Sequence, residues 1–303
     1  MNIEGLISQL GVLFLITFIG WVGYKSKILP ENTNKVLSGL VINISNPCTV
    51  LASVMTGTRA LSNREVWIMT AIAVGFHVVM IVFGWGLTRV MGTKGQERKL
   101  YQYMTVFCNN GFVGIPVIAA MLGPESVFPV AIFVLVFQLF CFTYGVSLFP
   151  KGTFNWKALI SPMIVCTLLA YAIYMLDLPV PGVVSKTADM MGAVTSPAAM
   201  LALGCALAAV PFKNVIRQWK LMIFSFIRLT VGPILVWALC FFWLKNELML
   251  GVAVAIGAMP AAVNTTLLAT RYGGDEELAA SGVFISTLMC IGTMPLVMGL
   301  LFR

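Results

Sequence analysis

Residues 108–124 read CNNGFVGIPVIAAMLGP. They lie in a stretch, from Leu100 to Gly123, that holds no charged residue and is otherwise apolar enough for a lipid bilayer. Two amides, two glycines and a proline near the middle of such a segment need a reason. A broken helix leaves backbone groups without partners, and in hydrocarbon each unsatisfied group costs several kcal/mol.

The surroundings decide the class. Of 303 residues, 59% are hydrophobic and 10% charged, against about 25% charged in soluble domains. The charges fall in short clusters between apolar runs of about 20 residues, the length that crosses about 30 Å of hydrocarbon as a helix. The expectation is an all-α polytopic membrane protein with no soluble domain. NIEGLISQLGVLFLITFIGWVGY, after Met1, lacks a basic leader and a small-residue cleavage site, so it reads as a retained first span. The net charge of +8 fits Lys and Arg gathered in cytoplasmic loops rather than a nucleic-acid partner. The seven cysteines all fall within expected spans and show no CxxC spacing, so they read as packing residues, with no metal site.

Ten spans are predicted, at about 6–24, 33–56, 66–90, 100–122, 126–149, 157–177, 185–210, 218–243, 248–270 and 277–302. Alternate loops differ in positive charge. One side holds Lys25, Lys27, Lys35, Arg89, Lys94, Arg98, Lys99, Lys151, Lys157, Lys213, Arg217, Lys220 and Arg271; the other holds Arg59, Arg64, Lys186, Lys245 and Arg303. The first set is expected to face the cytoplasm of a plasma (inner) membrane, with both termini on the other side. Trp21, Tyr24, Trp67, Tyr101, Trp156, Trp219, Trp243 and Tyr272 stand near span ends, as an aromatic belt requires.

An odd number of spans per half places the halves, 1–152 and 153–303, in opposite orientations. Span 2 carries Asn46-Pro47 in VINISNPCTVL, and span 7 carries Ser196-Pro197 in GAVTSPAAML. Span 4 carries Gly114-Ile115-Pro116, and span 9 carries Ala258-Met259-Pro260. Interruptions in corresponding spans of two inverted repeats point to a transporter binding site. Asn109 and Asn110 lie about ten residues in from Lys99, or about 15 Å, at the midplane. Pro116 disfavours a continuous helix, and Gly111 and Gly114 would permit unusual backbone angles. The expected result is an extended stretch around 110–115. The half-helix that follows offers free N–H groups to an anionic solute, and Asn side chains complete the site. Around Pro260, Asn264 and Thr265 repeat the theme from the other leaflet, although ordinary interhelical hydrogen bonding would also explain them.

NNGFVGIPVIAAMLGPES, SNPCTVLASV and AMPAAVNTTLLATRYGGDEELAASGVFISTLMCIGTMPLV resemble the auxin efflux carrier family over essentially the whole chain. Bacterial members include permeases assigned to malonate, malate and other carboxylates; plant members are the PIN proteins. The resemblance implies ten spans in two inverted five-helix repeats, with broken helices 4 and 9 crossing. It implies a scaffold of spans 1, 2, 6 and 7 and a transport unit of spans 3–5 and 8–10. It further implies elevator-like alternating access in a homodimer joined through the scaffold. The connection between spans 5 and 6 is only about PKGTFNWK, without the long cytoplasmic loop of many plant members.

Other polar residues within spans are open to two readings each. Arg228, in SFIRLTVGPIL, is either a counter-ion for an anionic substrate or a charge that snorkels toward the cytoplasmic interface or pairs with backbone carbonyls near the Pro233 break. His77 is either a proton relay or a hydrogen-bonded structural residue. Gln138 is a candidate lining residue near the crossover, and Asn43, Ser45 and Asn46 are candidates for the scaffold wall. All eleven acidic residues map to loops or span ends, so no mid-membrane carboxylate marks proton coupling, and the coupling ion, H⁺ or Na⁺ if any, stays open. No cofactor is expected. GTKGQERK (92–99) fails the phosphate-loop spacing, and one histidine without a buried acid pair argues against an enzyme. The predicted function is carriage of a small organic anion, a mono- or dicarboxylate. An anion channel or a receptor is the alternative, because broken helices also line pores.

Overall fold

The computed structural model describes residues 3–56, 59–153, 160–209 and 218–302. Trp156, Lys157, Lys213, Arg217 and Arg303 of the charge and aromatic pattern lie outside the described residues. Every regular element among the described residues is helical. They are α1 (Ile3–Lys25), α2 (Thr33–Leu40), α3 (Asn46–Met55), α4 (Asn63–Val90), α5 (Gly95–Val106), α6 (Ile115–Leu122), α7 (Val127–Phe140), α8 (Pro162–Leu176), α9 (Gly182–Ala193), α10 (Thr195–Ala209), α11 (Trp219–Cys240), α12 (Glu247–Gly257), α13 (Asn264–Tyr272) and α14 (Glu276–Leu301). Turns of π-helix at Val41–Ser45, Asn110–Gly114 and Cys141–Gly145 join α2 to α3, lead into α6 and extend α7.

Among the described residues, six stretches are long and apolar enough to cross a membrane: Thr33–Met55, Asn63–Val90, Pro124–Gly145, Gly182–Ala209, Trp219–Cys240 and Glu276–Leu301. Gly11–Lys25, Asn110–Leu122, Pro162–Leu176 and Glu247–Gly257 are shorter apolar helices. The protein is an all-α membrane protein.

Proline shapes these helices differently from the expected clean breaks. A proline cannot donate to the carbonyl four residues back and its ring crowds that carbonyl. Pro47 and Pro116 stand at the starts of α3 and α6, each directly after a π turn. The wider turn moves the offended carbonyl aside without ending the helix. In span 7 the interruption falls at Val194, three residues before Pro197, so the carbonyl that Pro197 would crowd belongs to the last residue of α9. Polar side chains close other ends. Asn246 Oδ1 accepts from the amides of Leu248 and Met249 at 3.1 and 3.2 Å, and Asp275 Oδ1 accepts from Leu278 N–H at 2.9 Å.

The chain divides into two compact units. Unit 1 comprises Met1–Thr70, Gly111–Leu135 and Ile160–Ala209; unit 2 comprises Ala71–Asn110, Val136–Leu159 and Val210–Arg303. In unit 1, α1 and α10 approach to backbone contact. A Cβ added at Gly204 would run into the Thr17 carbonyl and the Trp21 amide, and one at Gly20 into the Leu201 carbonyl. The Cys205 thiol donates to Gly20 O at 3.5 Å across the same contact. Small residues let helices pack this closely where burial of apolar surface drives little association. Beside it, Thr49 Oγ1 bonds Ser45 O, Gly192 O and Thr195 Oγ1 at 2.9, 3.1 and 2.8 Å, tying α3 to α9 and to the start of α10.

In unit 2, α11 packs on α12 and α14, and α13 packs on α14. Gly232 and Gly257 bring α11 and α12 together: a Cβ on Gly257 would stand 3.1 Å from Pro233 Cα.

Candidate functional site

The two interruptions in spans 4 and 9 meet within unit 2. α5 ends at Val106, and Phe107 turns extended with φ −100° and ψ 99°. Helix resumes at Asn110, so the non-helical stretch is 107–109 and not the expected 110–115. On the other side α12 ends at Gly257 and α13 begins at Asn264, leaving 258–263 without regular helix. The two stretches pair antiparallel through Cys108 and Ala261. Asn109 N–H donates to Pro260 O at 2.8 Å, and Ala262 N–H donates to Phe107 O at 3.0 Å.

Further backbone groups at the second interruption find side chains. The Gly257 and Met259 carbonyls accept from Arg228 Nη1, the former at 3.0 Å. The Cys290 thiol donates to Ala258 O at 3.4 Å, and Ala261 N–H donates to Ser286 Oγ at 3.1 Å. Buried backbone groups are paired almost without exception, and here the pairing is supplied by the facing break and by α11 and α14. The amides of Asn109 and Ala262 are engaged across the two breaks, and that of Ala261 by Ser286. What the crossing can offer a solute is side chains and the helix starts behind them.

Those side chains are placed as follows. Asn109 and Asn110 are both buried, and Asn110 Nδ2 has no hydrogen-bond partner among the described residues. Asn264 begins α13, half-buried, with its amide against the thiol of Cys141. Thr265 is buried and closes its own turn, its Oγ1 donating to Ala262 O at 2.6 Å. Met259 and Pro260 lie within the interruption itself. Gln138, in α7, is half-buried in the same unit.

Asn46, Gly111, Gly114, Ile115 and Pro116 belong to unit 1. Asn46 Nδ2 donates to Gly111 O at 2.9 Å, and its buried Oδ1 has no partner among the described residues. Ile115 and Pro116 are buried in α6. Gly114 has φ −63° and ψ −47°, and Gly111 is not among the positive-φ residues. Neither glycine is needed for its backbone angle. The break lies upstream of both, which corrects that expectation.

Arg228 is 1% exposed and pairs with backbone carbonyls. Those carbonyls belong to the span 9 interruption, and Gly257 lies against Pro233. His77, in α4, is fully buried. Its Nδ1–H donates to Ala73 O at 2.7 Å, which fixes the tautomer because a carbonyl only accepts. Its ring stacks on Phe140 at 4.9 Å and meets Phe76, Phe107 and Phe137, so it braces the extended residue of the first break.

Ser286, Cys290, Cys108 and Cys141 were not singled out by sequence reasoning, yet each touches the crossing. Ser286 and Cys290 are four residues apart on one face of α14, and that spacing of small polar residues was the available signal.

A family model described as "Membrane transport protein" matches residues 6–153 and 151–298. The chain is 27% identical to "Uncharacterized transporter MJ1031" of Methanocaldococcus jannaschii, covering 91% of this chain and 93% of that protein. It is 22% identical to the "Putative malonate transporter" of Rhizobium meliloti, covering 95% and 92%. It is 23% identical to "Uncharacterized transporter YfdV" of Escherichia coli K12, covering 96% of each.

Proposed function

The chain belongs to the membrane transport protein family that holds the auxin efflux carriers, and from that premise we propose that it is a secondary transporter carrying a small organic anion, a mono- or dicarboxylate. The family and the named relatives are transporters, so the chain is not an enzyme.

One observation carries the reading: two interrupted helices pair across Cys108 and Ala261 in the interior of an apolar helical protein. Non-helical backbone is tolerated at membrane depth only where protein or a water-filled cavity surrounds it. Paired interruptions are where secondary transporters hold their solutes. The solute is an anion on this reading because it would meet amide donors at Asn110 and Asn264 near two half-helix starts. A carboxylate is favoured by the printed name of the malonate relative.

The proposed architecture is ten spans in two inverted five-helix repeats. It is supported by the pairing at the crossing, where Asn109→Pro260 and Ala262→Phe107 exchange under a local two-fold. Thr49 meeting Thr195, in spans 2 and 7, supports it again. The transport unit is assigned to spans 3–5 and 8–10 and the scaffold to spans 1, 2, 6 and 7, in a homodimer working by an elevator mechanism. The division into two units supports this grouping, except that the first part of α4, α6 and the first part of α7 fall with spans 1, 2, 6 and 7. The protein is placed in the plasma (inner) membrane with both termini outside.

A thermal-shift screen of mono- and dicarboxylates, with and without Na⁺ and at two pH values, tests the reading. A bound solute raises the unfolding temperature by mass action, and a coupling ion would raise it further. A shift with malonate or a monocarboxylate is expected. No shift with any of them, together with unitary conductance in planar bilayers, would favour the channel.

A further inference from the structure

Arg228 uses one part of its guanidinium and leaves another. Nη1 donates to the Gly257 and Met259 carbonyls, while Nε and Nη2 have no hydrogen-bond partner among the described residues although the residue is 1% exposed. Nε–H and Nη2–H together form the side-on fork of a guanidinium, whose parallel N–H bonds match the two oxygens of a carboxylate. Ser225 precedes Arg228 by three positions on α11, so the two share a face. Helical side chains lean toward the preceding turn, which carries the Arg228 stem past Ser225. Ser225 is likewise 1% exposed, and its Oγ has no hydrogen-bond partner among the described residues.

Among the described residues no acidic side chain pairs with the charge. The acidic residues nearest in the chain are Asp189 and Glu247. α4, α12 and α14, which pack around this part of α11, carry acids only in their first turns: Glu65, Glu247, and Glu276 with Glu277. Among the described residues the one ion pair is Arg59–Asp177, in the other unit. A buried charge without a counter-charge is strongly unfavourable, and carbonyl dipoles on one edge of the guanidinium leave the other edge unmatched.

We infer that the Nε/Nη2 fork of Arg228 and the Ser225 hydroxyl form a buried seat for one small monovalent anion of carboxylate or halide size. The Cys108 and Cys290 thiols lie close to the same guanidinium, Cys108 within hydrogen-bonding reach of it. The anion is either a carboxylate of the transported solute or a resident inorganic ion such as chloride, and the chemistry is the same for both. The seat stands on the geometry of α11 and is independent of whether the protein is a carrier.

Purified protein in HEPES balanced with N-methylglucamine, free of small anions, is titrated separately with chloride and with malonate while thermal unfolding is followed. A saturable upward shift is expected in the wild type with at least one of them. Arg228→Lys keeps the charge but has no fork, and the midpoint concentration should rise at least tenfold. Ser225→Ala leaves the arginine in place and should raise it three- to tenfold, with an unchanged size-exclusion profile. A malonate shift without a chloride shift assigns the seat to the solute. A chloride shift, with malonate counterflow that needs chloride, assigns it to a resident ion. Equal midpoints in wild type and both variants, or no shift with either anion, would overturn the inference. Loss of counterflow with the anion shift intact would count against the carrier reading and leave the seat standing.

Discussion

Ala261 N–H is buried in the middle of the second interruption, and its hydrogen bond goes to the Ser286 hydroxyl at 3.1 Å. Ser286→Ala would strand that donor, at a cost of about 1–3 kcal/mol. Unfolding of the purified variant should show a clear loss of thermal stability, whereas Ser286→Thr, which keeps the hydroxyl, should lose much less. Asn110 poses the opposite case. Its Nδ2 is buried without a partner among the described residues, so that group does little for the fold that an isostere would not. Asn110→Leu should leave thermal stability within a small margin of wild type and raise the malonate concentration for half-saturation about tenfold, since a charge-assisted hydrogen bond contributes about 1.5–3 kcal/mol. A variant that unfolds earlier but binds malonate normally would contradict that division. Neither role was readable from the residue types alone. Asn109-Asn110 drew notice because amides are costly in lipid, while Ser286 looked like any small residue of a membrane helix. What distinguishes it is the partner 25 positions away.

At the level of elements, the apolar runs placed helix in each expected span, because a 20-residue stretch without charge has few other ways to satisfy its backbone in lipid. The nature of the interruptions was less legible. Pro116 marks the start of α6 rather than the break, and Pro260 lies inside its break. A proline says that a helix cannot continue regularly through it, but a π turn answers that demand as well as an extended residue does. The pairing of Cys108 with Ala261 joins positions 153 apart, beyond what local pattern carries. The close contact of α1 with α10 was equally hidden, since Gly20 and Gly204 are separated by most of the chain. Gly204→Leu would force a side chain into the Thr17 carbonyl and part the two helices. Yield of monodisperse protein in detergent should collapse, whereas Gly11→Leu, where an added Cβ meets nothing within 4 Å, should be tolerated.

The whole molecule has an expected topology and an expected path for the solute. Lys and Arg concentrate on one set of loops, so a green fluorescent protein fused to the C-terminus should stay dark and an alkaline phosphatase fused there should be active; the reverse would invert the assignment of sides. The central claim is that the paired breaks hold the solute. It is tested most directly by a cryo-electron microscopy map of the protein in lipid nanodiscs with saturating malonate. The account predicts density for the anion beside Asn110 and Asn264, with residues 107–109 and 258–263 non-helical. Malonate bound away from both asparagines, or continuous helix through both stretches, would contradict it.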